Sequence, residues 1–168
     1  MRTRERWHEL EEFPDYAVSE LGEIVNIKSG FPRRTSINQQ GIVKISMYKN
    51  GRELITRSVA VIVAEAFCEG QTEFFNTPIH LDGDRLNCRA DNLMWRPRWF
   101  AVQYHRQFQS PEFHASNVHI YELDSGKEYY SVKEACMDLG LYYNDVYRSY
   151  IHERMIPLTR HEFRLVEP

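Results

Sequence analysis

Residues 78–95 read PIHLDGDRLNCRADNLMW, and the reading of the fold turns on them. Pro78-Ile79-His80-Leu81 has the look of a short strand running into Asp82-Gly83-Asp84, a turn. A polar loop holding Asn87, Arg89, Asp91 and Asn92 follows, and Leu93-Met94-Trp95 reads as a second short strand. Proline is tolerated in the first turn of a helix, so a helix is predicted after Pro97, running to about Phe108. The order is strand, loop, strand, helix.

Outward from this centre the pattern changes on both sides. On the N-terminal side, Val59, Ile62, Val63, Ala66 and Phe67 recur at the spacing of one buried helical face. Ser58 stands at the N-cap position, and Gly70 closes the segment. Before it, Gly41–Tyr48 and Arg52–Arg57 read as strands joined through Lys49-Asn50-Gly51, and Asn-Gly is a strong hairpin signal. Further back, Tyr16–Val18 and Glu23–Ile27 flank a turn over Ser19–Gly22. On the C-terminal side, residues 107–117 show no periodicity and contain Pro111, so a linker is expected there. Val118–Leu123 and Glu128–Tyr130 then form a hairpin, and Ser131-Val132-Lys133-Glu134 is a capping box. That box opens a helix stopped by Gly140, and a second helix follows over about Asn144–Ile151. Two short helices around a glycine-containing turn outline a helix-turn-helix, and Glu162–Val166 is a last strand. The fold class is therefore α+β, in three modules. These are a β-rich N-terminal module (1–57), a ββα centre (58–108) and, after a linker (109–117), a helix-turn-helix module with flanking strands (118–168).

Composition narrows the function classes. Hydrophobic residues make up 42% of the 168, lean for a compact domain, so small cores are expected rather than one deep one. The longest apolar run, Val59–Ala64, is far too short to span a membrane, and MRTRERWHEL has no apolar core of a secretory signal. Three widely spaced cysteines, Cys68, Cys88 and Cys136, form no CxxC pair and read as small hydrophobes, so a reducing, cytoplasmic compartment is expected. Lys and Arg total 21 against 24 Asp and Glu, a net charge of −3. The chain is no polycation, and any nucleic-acid contact has to come from local patches.

Such patches can be named. Arg85, Arg89, Arg96, Arg98 and Arg106, with Trp95, Trp99 and Tyr104 interleaved, form the densest basic stretch. They suit phosphate contact, or else an ordinary solvated face. Arg33-Arg34 with Thr35 and Ser36 is a smaller patch. In the C-terminal module Asn144 and Arg148 lie one helical turn apart, where asparagine would suit adenine and arginine guanine. The neighbouring tyrosines, Tyr142, Tyr143 and Tyr147, equally suit protein contact.

Three segments carry a resemblance. WHELEEFPDYAVSELGEIVNIKSG (7–30), VAEAF (63–67) with HLDGDRLNCRADNLMW (80–95), and YELDSGKEYYSVKEACMDLGL (121–141) resemble, in this order, the three modules of the intron-encoded HNH homing endonucleases of bacteriophages. Those modules are an N-terminal modular domain, the HNH motif and a C-terminal helix-turn-helix repeat. The resemblance implies a ββα-metal fold. Its strand-end histidine, His80 here, activates water against a phosphodiester while a divalent ion stabilises the leaving oxygen. Asn92 would hold the loop that orients the base, and Asp82, Asp84 and Asn87 would shape the turn.

The departures from the family pattern are as informative. The two positions that carry metal ligands in the family are Ile79 and Ala101 here, and Ala60-Val61 stand where a His-Arg pair is usual. A displaced site would have to draw on Asp82 and on His105, one turn beyond Ala101. The resulting expectation is a DNA-binding protein on an HNH homing-endonuclease scaffold, its cleavage weakened or lost and its partner double-stranded DNA. One alternative is an active endonuclease using Mg or Mn with His80 as base. Another is an interaction subunit of a larger nucleic-acid complex.

Overall fold

The computed structural model describes residues 5–166. In chain order the elements are strands β1 (Trp7–Glu9), β2 (Tyr16–Ser19), β3 (Ile24–Asn26), β4 (Ser36–Ile37), β5 (Val43–Lys49) and β6 (Glu53–Ser58), then helix α1 (Val59–Phe67). Strand β7 (Thr77–His80), a 3-10 turn over Ala90–Asn92, strand β8 (Leu93–Arg96) and helix α2 (Arg98–Gln107) follow. The last elements are α3 (Pro111–Ala115), β9 (Ile120–Glu122), β10 (Glu128–Tyr129), α4 (Val132–Leu139), α5 (Tyr143–His152) and β11 (Phe163–Leu165). Among the described residues four small antiparallel sheets, β1-β2-β3, β4-β5-β6, β7-β8 and β10-β9-β11, stand beside the helices in an α+β fold. No helix among the described residues is long and apolar enough to cross a membrane.

The chain divides into two compact units, one formed by residues up to His80 together with Asp84–Arg98, the other by Leu81–Gly83 together with residues from Trp99 onward. In the first, α1 is the hub. Val59, Ile62 and Val63 are buried with Phe13, Tyr16, Val18, Ile45, Met47 and Trp95 in one core. Ser58 occupies the N-cap position in extended conformation, but its side chain makes no capping hydrogen bond. Burial of the helix face, rather than a cap, holds this short helix. At the other end Trp95 donates its indole N–H to the Cys68 carbonyl at 3.2 Å, satisfying the residue that follows the helix. The β5–β6 hairpin turns as Asn-Gly demands: Asn50 and Gly51 both have positive φ, and Arg52 N–H donates to the Lys49 carbonyl at 3.1 Å.

In the second unit, α4 opens on the capping box. Ser131 Oγ accepts from the Glu134 N–H at 3.1 Å, and Glu134 reaches back to the Tyr130 N–H at 2.9 Å. Gly140 takes the left-handed conformation that ends the helix. The core gathers Phe113, Ile120, Tyr129, Val132, Cys136, Val146 and Phe163. The segment expected to be a linker contains α3. Pro111 occupies its first turn, where a missing N–H costs nothing, and Phe113 is fully buried. Its ring meets Phe108 at 5.0 Å and Tyr143 at 6.3 Å. A single buried aromatic ring leaves no periodicity to read.

Candidate functional site

The β7–β8 hairpin sets the site. Its register pairs Ile79 with Met94 and His80 with Leu93, and β7 ends on His80, which is 6% exposed. Residues 84–92 form a loop closed by its own polar groups. Asp84 accepts the Leu86 N–H at 2.9 Å, and its carbonyl accepts the Asn87 N–H at 3.1 Å. Asn92, buried in the 3-10 turn, donates Nδ2 to the Asn87 carbonyl at 2.9 Å. The loop is further tied to the β2–β3 turn, where the Ala90 N–H donates to the Glu20 carbonyl at 2.8 Å.

Closing the loop brings Cys88 against the histidine, with Sγ 3.9 Å from His80 Nε2. Burial pushes the Cys88 thiol up to about 11, so at neutral pH it meets the imidazole as a neutral S–H group and not as a thiolate. By sequence Cys88 reads only as a small hydrophobe. With no CxxC partner and no spacing to His80, nothing in the sequence announces the pairing.

In the second unit the turn that follows His80 is anchored to α2 and its C-terminal flank. Tyr104, fully buried, places its hydroxyl 2.7 Å from the Leu81 carbonyl and 3.2 Å from the Cys136 carbonyl. Gly83, at φ +79°, lies so close to the Phe108 ring that a Cβ there would come within 2.5 Å of it. Gly83→Ala therefore combines backbone strain with overpacking, and is expected to cost about 2–4 kcal/mol. Urea unfolding of the variant beside the wild type checks this. A loss under ~0.5 kcal/mol would mean that the turn relaxes freely.

The positions that the resemblance assigns to a divalent cation do not fit one. Ile79 has no exposed surface and Ala101 is 5% exposed, and neither bears a donor atom. Asp82 and His105, the candidates for a displaced site, are half-buried residues of the second unit. Among the described residues no group of three or more His, Cys, Asp or Glu side chains is placed to hold a metal ion. What the site's own residues present is an imidazole at a strand end, packed against a thiol and bordered by a loop that Asn92 closes.

The basic candidates separate by environment. Arg96 is 9% exposed and donates Nη1 to the Trp95 carbonyl at 3.0 Å, so it is an interior residue and not a surface cation. Arg85 is half-buried and donates to the Gln40 carbonyl at 2.8 Å. Arg89 is exposed but forks onto Asp91 at 3.1 and 3.0 Å, holding that carboxyl below its usual range. Arg98 and Arg106 are exposed. Of the interleaved aromatics, Trp95 and Tyr104 are buried and only Trp99 faces out. Arg33 and Arg34 are exposed, the Arg33 guanidinium lying 5.9 Å from the Tyr16 ring centroid. On α5, Asn144 and Arg148 are both exposed, with Asn144 Nδ2 donating to the Tyr142 hydroxyl at 3.1 Å. Tyr147 and Ile151 lie on the same outward stripe, while Val146 and Tyr150 face the core. Arg6, which no sequence pattern marks, packs its guanidinium over the Phe67 ring at 5.6 Å and pairs with Glu20.

No family model matches the chain. Among curated proteins it is 31% identical over 137 residues to the DNA endonuclease I-HmuI of Bacillus phage SP01, covering 75% of this chain and 78% of that protein. It is 27% identical over 137 residues to an uncharacterized HNH endonuclease of Acanthamoeba polyphaga mimivirus, covering 82% of this chain and 40% of that longer protein. Among solved structures it is similar to the HNH homing endonuclease I-HmuI, in a study of its DNA binding and cleavage. The TM-score is 0.55 and the identity 28%, over 97% of this chain and 99% of the other. A strand-end His80, a loop closed by Asn92 and this likeness along nearly the whole length lead to one assignment: the chain belongs to the HNH homing endonuclease family.

Proposed function

We propose that this chain recognises double-stranded DNA through its N-terminal β-rich module (1–57) and its C-terminal helix-turn-helix module (118–168), with the exposed Arg98 and Arg106 of the central segment adding phosphate contacts. The central HNH segment (58–108) keeps the scaffold, but its strand-cleaving centre is weakened or lost. The observation that carries the reading is the fully buried Ile79 beside His80, with Ala101 on α2. A magnesium site needs oxygen ligands in near-octahedral array, and these two side chains supply none. DNA contact is supported by the exposed Arg33 and Arg34, and by the outward stripe of α5 with Asn144, Tyr147 and Arg148. The similarity to I-HmuI, solved in a study of its DNA binding and cleavage, supports the same partner.

Mobility shifts against short duplexes enriched from a random pool by the protein itself test the reading. Binding is expected to be unchanged when Mg²⁺ is replaced by a chelator. With Arg33, Arg34, Arg98, Arg106 and Arg148 on phosphates, affinity should fall about five-hundredfold over a fourfold rise in salt, a slope near −4.5. Binding that ignores salt, or no enrichment at all, counts against it.

A second reading, an active endonuclease with His80 as base and Asp82 and His105 as displaced ligands for Mg or Mn, is favoured by one feature. The loop that Asn92 closes beside His80 is intact. Metal-stimulated nicking that disappears in His80→Ala decides for it.

A further inference from the structure

Helix α2 carries large apolar side chains on its outward face as well as on its buried one. Positions 99, 102, 103 and 106 recur at i, i+3, i+4 and i+7 and share one side of a helix. The other side, Phe100, Ala101, Tyr104 and Gln107, is buried. A helix that had only to cover a core would turn charge outward and large apolar groups inward. Here the outward stripe is Trp99, Val102, Gln103 and Arg106, with Trp99 54% and Val102 49% exposed. The helix, RWFAVQYHRQ, contains no carboxylate and carries an exposed arginine near each end, Arg98 and Arg106, in a chain whose net charge is −3. An exposed tryptophan flanked by cations complements a duplex, which offers phosphates on both sides of a stack of flat bases.

The tryptophan also stands on a firm base. Its ring meets Phe100 edge-on at 5.8 Å, and Phe100 stacks on Tyr104 at 6.1 Å. The Tyr104 hydroxyl is in turn held by the Leu81 carbonyl at 2.7 Å. A side chain that pries stacked bases apart has to resist being pushed back, and a packed aromatic row provides that.

We propose that Trp99, backed by Val102, is a wedge that enters one base step of the bound duplex and kinks it, while Arg98 and Arg106 hold phosphates on either side. The proposal rests on the DNA-binding reading above and adds where and how the duplex is deformed. Wedge side chains in DNA-bending proteins unstack a step at a cost that the extra surface engaged by the bent duplex offsets. Aromatic–base stacking adds a comparable gain.

The test uses the full chain and a duplex enriched by the protein from a random pool. The duplex carries a fluorescent donor and acceptor at its ends, with 2-aminopurine substituted at successive positions. Wild-type protein is expected to brighten 2-aminopurine at one step and to shorten the end-to-end distance. Trp99→Ala should lose both signals and bind about 5- to 100-fold more weakly, while Trp99→Phe keeps most of each. Arg106→Ala should leave the bright step in place and reduce the salt slope by about one. Because Trp99 is exposed, circular dichroism of Trp99→Ala should match wild type. Tight, salt-sensitive binding with a straight duplex and no bright step would overturn the wedge and leave the DNA-binding reading standing. No duplex binding, together with Trp99-dependent self-association in sedimentation, would overturn both and mark this face as a protein contact.

Discussion

Incubated with supercoiled plasmid and Mg²⁺ or Mn²⁺, this protein is expected to nick DNA at least ~10³-fold more slowly than I-HmuI assayed beside it, with His80→Ala indistinguishable from wild type. The size follows from what the missing ligands would supply. A divalent ion at a leaving oxygen contributes several kcal/mol of transition-state stabilisation, and about 4 kcal/mol corresponds to three orders of magnitude in rate. His80 sits at its strand end beside a loop that Asn92 closes, where the resemblance expects a base. A base alone leaves the charge that develops on the departing oxygen unbalanced. Metal-stimulated nicking that depended on His80 would show that other donors supply what Ile79 and Ala101 lack, and would move the protein to the active reading.

The second large effect concerns Phe113. If residues 109–117 were only a tether, truncating this ring would change stability by less than ~0.5 kcal/mol. The ring is instead fully buried, between Phe108 and Tyr143. Phe113→Ala is therefore expected to cost about 3–5 kcal/mol, the lost transfer energy of the ring plus the cavity it leaves. That is a large share of the ~5–15 kcal/mol by which a domain is stable. Chemical denaturation with circular dichroism reads the loss. The exposed stripe of α5 is borne by the same unit, so DNA binding should weaken in parallel. A midpoint within error of wild type would return the segment to the status of a linker.

How far the sequence could be read depended on the range of the interaction involved. Asn50-Gly51 announced its hairpin because only residues that tolerate positive φ close such a turn. Ser131 and Glu134 announced the start of α4 because a capping box is satisfied within five residues. The α1 face was legible from its apolar spacing, and the strand–loop–strand–helix order around His80 from short runs and a turn. Helix α3 was not, because Pro111 looks like a breaker until Phe113 is seen to have a core to enter.

Side-chain fates were harder to read. Arg96 and Arg98 are chemically alike and nearly adjacent, yet one lies in the interior with its guanidinium on the Trp95 carbonyl and the other is exposed. Trp95 and Trp99 divide the same way, one closing the end of α1 and the other turned to solvent. Cys88 reaches His80 only because the loop between them folds back on itself.

Local chemistry in the chain by itself determined the α+β class, the strand–loop–strand–helix order around the strand-end His80 and the absence of donors at Ile79 and Ala101, since each of these depends on residue identity and near neighbours. Only the tertiary structure decided which arginines remain available to a phosphate, which tryptophan faces out and what stands beside the histidine. Exposure and long-range contact are properties of packing, and residues far apart in the chain settle them together.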